Sequence, residues 1–150
     1  MMYLEKLGAF VSNRTPHPVN LVIGDDTIVI PTDGQPIRLP EQRVDGGLIS
    51  TVQLLAVELP EPKWLPAPDN DNNCGQEPFV PAAEPGHQVS DASGAYSYAP
   101  VLYITSLPVA QFAARLGRMD FIAPDTGAGA VRDADGKIIG VRGFVRYEIG

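Results

Sequence analysis

The 150-residue sequence has little of what disulfides, metal centres and membrane spans require. Its one cysteine, Cys74, excludes an intrachain disulfide and is compatible with a reducing cytosol. One cysteine and two histidines, His17 and His87, are too few for a standard zinc site. No stretch approaches the roughly 18 apolar residues of a membrane span, and residues 1–10 do not form a signal peptide pattern. We therefore expect a cytoplasmic chain with no membrane partner.

Basic residues are also scarce, and the net charge of -7 argues against general affinity for nucleic acid. The charge is unevenly distributed along the chain. Residues 1–59 carry -3, residues 60–100 carry -5, and residues 101–150 carry +1. The arginines of the last third therefore indicate a local site for an anion in an acidic protein.

Signatures of catalysis and of ordinary nucleotide sites are missing as well. The sequence has neither a Walker motif nor a Gly-x-Gly-x-x-Gly motif. Asp125-Thr126-Gly127 matches the aspartic-protease triplet, but that chemistry needs two aspartates that share a proton, and here Ala-Gly-Ala follows. A turn that offers backbone amides to a ligand is the better interpretation. We expect no enzymatic activity, no cofactor and no metal.

The clearest regular element is a helix at residues 107–116. Ser106 is a good N-cap, and Pro108 falls in the first turn, where a missing N–H costs nothing. Gly117 is the expected stop. An apolar face at helical spacing is formed by Val109, Phe112, Ala113 and Leu116.

Most other regular segments have the pattern of strands. Residues 20–23 and 27–30 flank Gly24-Asp25-Asp26, and residues 131–132 and 138–141 flank a loop with Asp-Gly, so both pairs are predicted to be β-hairpins. A short strand is predicted at residues 37–39, and a long strand buried on both faces at residues 48–59. The prediction is a single α+β domain over residues 1–150, mainly antiparallel β with one principal helix.

Residues 60–100 differ in composition, since they contain eight of the fifteen prolines. A stretch of this length without regular structure is uncommon and usually functional or mobile. Trp64 and Phe79 argue that parts of it are anchored. We interpret it as a long Pro-rich insertion, either a surface excursion or an arm that packs on a partner.

Arginine side chains of the last third, a His-Pro corner and two loops are the candidate binding elements. A guanidinium fork binds phosphate through two hydrogen bonds, and a histidine held between prolines can donate to an anion. Pairing of each arginine with a nearby aspartate is the alternative, and for the histidine it is a rigid turn. The candidate ligand-binding residues are Thr15, His17, Ser106, Arg115, Arg118, Asp125, Thr126, Arg142 and Phe144.

Three stretches together resemble small proteins encoded by phages and prophages. They are residues 14–19 (RTPHPV), residues 103–110 (YITSLPVA) and residues 123–144, which contain APD, VRD and GVRGF. Such proteins begin near NLTPHPV and end near VRDxxGxIIGxRxF; here Arg14 stands where leucine is usual. The likeness covers about a third of the chain, at its two ends. The resemblance extends to phage anti-Thoeris sponges, which sequester a cyclic ADP-ribose signal without cleaving it.

The resemblance implies a phage-encoded, non-enzymatic protein that sequesters a small anionic cyclic nucleotide in the bacterial cytoplasm, and we expect it to self-associate. In that case the arginines would bind the pyrophosphate and Phe144 would stack on the base. Two alternatives stay open. One is a virion or assembly protein that uses residues 60–100 as an arm, and the other is a protein inhibitor of a host defence enzyme.

Overall fold

A computed structural model describes residues 1–55, 57–67 and 98–149, which form twelve strands and one helix. In chain order these are β1 (Met2–Leu4), β2 (Ala9–Asn13), β3 (Val19–Ile23), β4 (Asp26–Ile30), β5 (Glu41–Val44), β6 (Thr51–Leu54), β7 (Trp64–Pro66), β8 (Tyr98–Ile104), α1 (Leu107–Arg115), β9 (Phe121–Pro124), β10 (Ala130–Arg132), β11 (Ile138–Val141) and β12 (Phe144–Val145). The predicted fold class, α+β with mostly β structure and one principal helix, is confirmed.

A six-stranded sheet with the order β1-β2-β8-β9-β12 forms the middle of the fold, and β7 pairs with the first half of β8. A four-stranded sheet has the order β10-β11-β3-β4, and β5 and β6 form a separate pair. Six of the nine strand pairings in the described residues are antiparallel. The other three are parallel, and two of these join β8 to its neighbours β2 and β9.

Strand β8 is buried on both faces and separates two apolar clusters. Leu102 and Ile104 point into the cluster between the two larger sheets. Val101 and Tyr103 point to the opposite face, where they pack with α1 and with Phe121 of the neighbouring strand β9. Because side chains alternate along a strand, one continuous apolar run supplies both clusters. The described part of the fold is therefore layered as four-stranded sheet, six-stranded sheet and helix.

The helix lies where it was predicted, with Ser106 at the N-cap and Gly117 after the last turn. Ser106 occupies the N-cap position as predicted, but its side chain makes no capping hydrogen bond. The predicted apolar face is wrong in part, because Leu116 is exposed while Ala110 and Ala114 are buried. The buried face of α1 includes these small alanines, so it is wider than the bulky residues alone indicated.

One predicted strand is wrong in its length and burial, and another is wrong altogether. Of the described residues in the predicted long strand, Thr51–Leu54 alone is a strand, and in the described part of the chain it pairs with the exposed β5. Leu48, at the tip of this hairpin, is fully exposed. Residues 37–39 pack against the helix-side cluster without forming a strand, and the Ile37 amide donates to the Arg14 carbonyl instead. An apolar run shows what can be buried, but the partner that buries it comes from elsewhere in the chain.

Both predicted hairpins are confirmed, as β3 with β4 and as β10 with β11. The start of the Pro-rich segment packs on the domain, since β7 pairs with β8 and Trp64 is completely buried. Phe79 and the rest of residues 68–97 lie outside the described residues. No helix in the described part of the chain is long and apolar enough to cross a membrane.

Candidate functional site

A cleft of about 1060 Å³ lies between the six-stranded and four-stranded sheets. Its apolar floor is the end of the inter-sheet core, where Leu4, Leu21, Leu102 and Ile122 face the opening. Phe144 of β12 is half-buried against the same core and lines the cleft. The cleft therefore offers an apolar interior that is continuous with the protein core and open to ligands of moderate size.

The rim of the cleft is charged. One side of the rim carries Arg142 and Arg146, which flank Phe144 in sequence. Lys6 also lines the cleft, from the turn after β1. Glu5 and Asp26 also line the opening. Among the residues that the structure describes, neither guanidinium has an ion-pair or hydrogen-bond partner. Both arginines are exposed, so they are available to an anion that enters the cleft.

Backbone hydrogen bonds fix the segment that carries Arg142 and Phe144. The Arg142 amide donates to the Gly129 carbonyl at 2.8 Å, and the Asp125 amide donates to the Gly143 carbonyl at 3.0 Å. Phe144 then pairs with Pro124 in the antiparallel β9–β12 ladder. The rim is consequently held by the loop after β9 rather than left as a free end.

Asp125 and Thr126, both predicted site residues, belong to that supporting loop and do not line the cleft. The Gly127 amide donates to Asp125 Oδ1 at 3.1 Å, which closes an Asx turn. A side chain at Gly129 would approach Asp125 Oδ2 to 2.8 Å. Thr126 is exposed. Asp125 thus shapes the loop that positions Arg142.

Arg118 is engaged elsewhere. Its guanidinium donates to both oxygens of the fully buried Asp120, at 2.9 and 2.6 Å, and to the Pro60 carbonyl at 2.7 Å. It also lies 4.9 Å from the centre of the Phe121 ring. Arg115, by contrast, is exposed in the last turn of α1. Neither arginine lines the cleft, and for Arg118 the pairing alternative holds.

The Thr-Pro-His corner is organised by Asn13, which the sequence reading overlooked. The buried Asn13 amide donates to the carbonyls of His17 and Ile30, at 2.9 and 3.0 Å. Its Oδ1 accepts from the amide and the hydroxyl of Thr15. The His17 side chain is exposed, and neither it nor Thr15 lines the cleft. An asparagine two residues before the threonine was the available signal for this turn.

On the helix side of the central sheet, Tyr103 is also structural. Its hydroxyl donates to the Glu61 carbonyl at 3.0 Å, and its ring stacks on Phe121 with 5.3 Å between centroids. Burial raises the pKa of Tyr103 above its ordinary value, so the phenol stays protonated. Ser106, the remaining predicted site residue, is exposed at the start of α1 and lies outside the cleft.

Of the nine predicted site residues, the cleft brings together Arg142 and Phe144 and adds Lys6 and Arg146. Lys6 was missed because it lies far from Arg142 in sequence, and no local pattern indicates that the two residues line one cleft. In the described ranges, no group of three or more His, Cys, Asp or Glu side chains is arranged to hold a metal. The chain matched no known protein family, no curated protein and no solved structure.

Proposed function

We propose that the protein is a non-enzymatic binding protein that holds a small anionic ligand in the cleft between its two larger sheets. The observation that carries this proposal is the combination of an apolar floor with Arg142 and Arg146, which flank Phe144 in sequence and have no ion-pair partner among the described residues. An apolar pocket with a few convergent polar groups is the usual form of a small-molecule site.

The composition of the cleft favours a ligand with an aromatic or apolar body and a negative group at its edge. Phe144 is placed to stack on a planar ring, and the flanking guanidinium groups suit a phosphate. A volume of about 1060 Å³ is ample for a nucleotide. The resemblance to phage sponges implies more specifically a cyclic nucleotide, and we propose that the protein sequesters it without cleaving it.

The proposed setting is the cytoplasm of a bacterium infected by the phage that encodes the protein. There the ligand would be a nucleotide signal of bacterial immunity, as the resemblance to phage proteins and anti-Thoeris sponges implies. The arm hypothesis gains no support from Trp64, since that residue is anchored in its own domain.

Isothermal titration tests the proposal with cyclic ADP-ribose isomers and cyclic oligonucleotides as probes. We expect one of them to bind, and Arg142→Ala and Phe144→Ala to weaken its binding by about tenfold or more, the factor that corresponds to about 1.4 kcal/mol. Arg115→Ala is the matched control, because it removes an exposed arginine outside the cleft. Absence of binding to every probe by the folded protein would refute the nucleotide proposal.

A further inference from the structure

The β5–β6 hairpin stands apart from the layers of the fold. Among the described residues it forms a separate two-stranded sheet, and all four residues of β5 are exposed. Its tip carries the residues Leu48 and Ile49, which are 105% and 80% exposed. An isolated two-stranded hairpin is marginally stable in water, and an exposed strand edge is a template for pairing with another chain.

The hydrogen-bond pattern of the hairpin shows which backbone groups point outward. The Leu55 amide donates to the Pro40 carbonyl at 2.9 Å, directly beyond the paired residues Glu41 and Leu54. Because hydrogen-bonded and non-hydrogen-bonded pairs alternate in an antiparallel ladder, Gln42 bonds inward to β6. The amides and carbonyls of Glu41 and Arg43 are therefore directed to the edge of β5 that no strand in the described residues covers.

The charges on that edge are self-complementary. Glu41 and Arg43 are two residues apart, so their side chains share one face of the strand. If two copies of β5 pair antiparallel about a two-fold axis through Gln42, each Glu41 stands opposite Arg43 of the other copy. In this register the outward-directed backbone groups also face each other and form hydrogen-bonded pairs.

Other registers and the other edge fit less well. A two-fold axis through Arg43 would place two arginines opposite each other and Glu41 opposite Asp45, so like charges would meet. The β6 edge, Thr51–Leu54, carries no charge that sets a register. The ion pair between Arg43 and Asp45, at 3.0 Å, joins two exposed side chains and contributes little to stability. Arg43 can therefore exchange Asp45 for Glu41 of another copy at little cost in free energy.

We infer that β5 pairs with β5 of a second copy of this chain and extends the hairpin into a four-stranded sheet. Among pairings confined to Glu41–Val44, backbone direction and charge order both favour the register centred on Gln42. In that register the tip of each hairpin runs beside the residues that precede β5 in the other copy. Leu48 and Ile49, which are exposed in one copy, would then pack against those residues of the other copy.

Sedimentation velocity of the full chain over a concentration series tests the inference, with circular dichroism to verify folding. We expect a dimer, and we expect Glu41→Arg and Arg43→Glu to raise its dissociation constant by about tenfold or more, because each places like charges opposite each other twice. The double variant, in which the two charges exchange places, restores complementarity and should dimerise like the original chain.

Mixing the two single variants gives the sharpest result. The Glu41→Arg chain carries two arginines and the Arg43→Glu chain two glutamates, so an equimolar mixture should form a heterodimer. A monomeric original chain would overturn the inference, as would single variants that stay fully dimeric. Dissociation caused by Val52→Lys but by neither β5 variant would assign the contact to the β6 edge and likewise overturn it.

Discussion

Each face of the six-stranded sheet carries an arginine close to a phenylalanine, but the two arginines have different roles. On the helix side, Arg118 stacks on Phe121 and donates to the buried Asp120. On the cleft side, Arg142 lies next to Phe144 with no carboxylate partner in the described residues. A buried carboxylate within reach turns an arginine into part of the scaffold, and an arginine without one stays available to a ligand.

The largest effect that we predict is on the helix side. Arg118→Ala leaves the carboxylate of Asp120 buried without its cation, and removal of one partner from such a pair costs about 3–5 kcal/mol. The free energy of unfolding, measured by denaturant titration, should fall by about that amount. Addition of Asp120→Asn to this variant removes the buried charge and should recover part of the loss.

Arg115→Ala is the control for this measurement. Arg115 is exposed on the last turn of α1, only three residues away in sequence. Its removal should change the free energy of unfolding by less than about 0.5 kcal/mol. Equal losses for the two variants would mean that the pair with Asp120 does not anchor the helix side.

The second effect concerns how closely the four-stranded sheet is packed behind the cleft. Gly140 lies in β11, where an added Cβ would be 3.0 Å from both the Asn20 carbonyl and a Val22 methyl. Gly140→Ala should therefore destabilise the fold by about 1–3 kcal/mol, as overpacking does. Gly143→Ala is the matched control, since a Cβ there meets no atom within 4 Å. Equal thermal midpoints for the two variants would contradict this account.

The accuracy of the sequence-based prediction depended on how local the cause of each feature is. Ser106 and Gly117 bound α1 through local backbone preferences, and the Asp-Gly hairpin is equally local. The parallel pairing of Val11 with Leu102 joins residues that are far apart, and no local pattern announces it. The prediction of a long buried strand at residues 48–59 was wrong because apolarity does not reveal whether a partner layer exists.

The candidate site shows the same limit. Arg118 and Arg142 were both predicted to bind a ligand, although Asp120 lies close to Arg118 in sequence and no aspartate lies equally close to Arg142. Burial of Asp120 distinguishes them, and burial depends on how β8, β9 and α1 assemble. The supporting hydrogen bonds of Asp125 likewise depend on a loop geometry that the Asp-Thr-Gly letters suggested only as a turn.

A smaller effect on stability is expected at acidic pH, and it involves Asp33, near the Thr-Pro-His corner. The Ser12 hydroxyl donates to Asp33 Oδ2 at 2.7 Å and lowers the pKa of that carboxyl, with a further lowering from the Met1 ammonium, while partial burial opposes both. Because the pKa is lower in the folded state, the stabilisation is present above about pH 4 and is lost as the pH falls through the folded value.

Asp33→Asn should therefore flatten the acid limb of the stability profile, measured as the free energy of unfolding between about pH 2 and pH 6. Near neutral pH the variant should be the less stable of the two chains, and the difference should shrink in acid. A difference that stays constant across this range would show that the carboxylate charge contributes nothing and that only its shape matters.

The smallest change in stability is expected at the cleft, and it sharpens the contrast with Arg118. Arg142→Ala removes an exposed guanidinium with no partner in the described residues, so the free energy of unfolding should move by less than about 0.5 kcal/mol. The same substitution should weaken ligand binding, because it removes a cation from the rim. A clear loss of stability instead would mean that Arg142 supports the fold as Arg118 does, and the distinction between the two faces would fail.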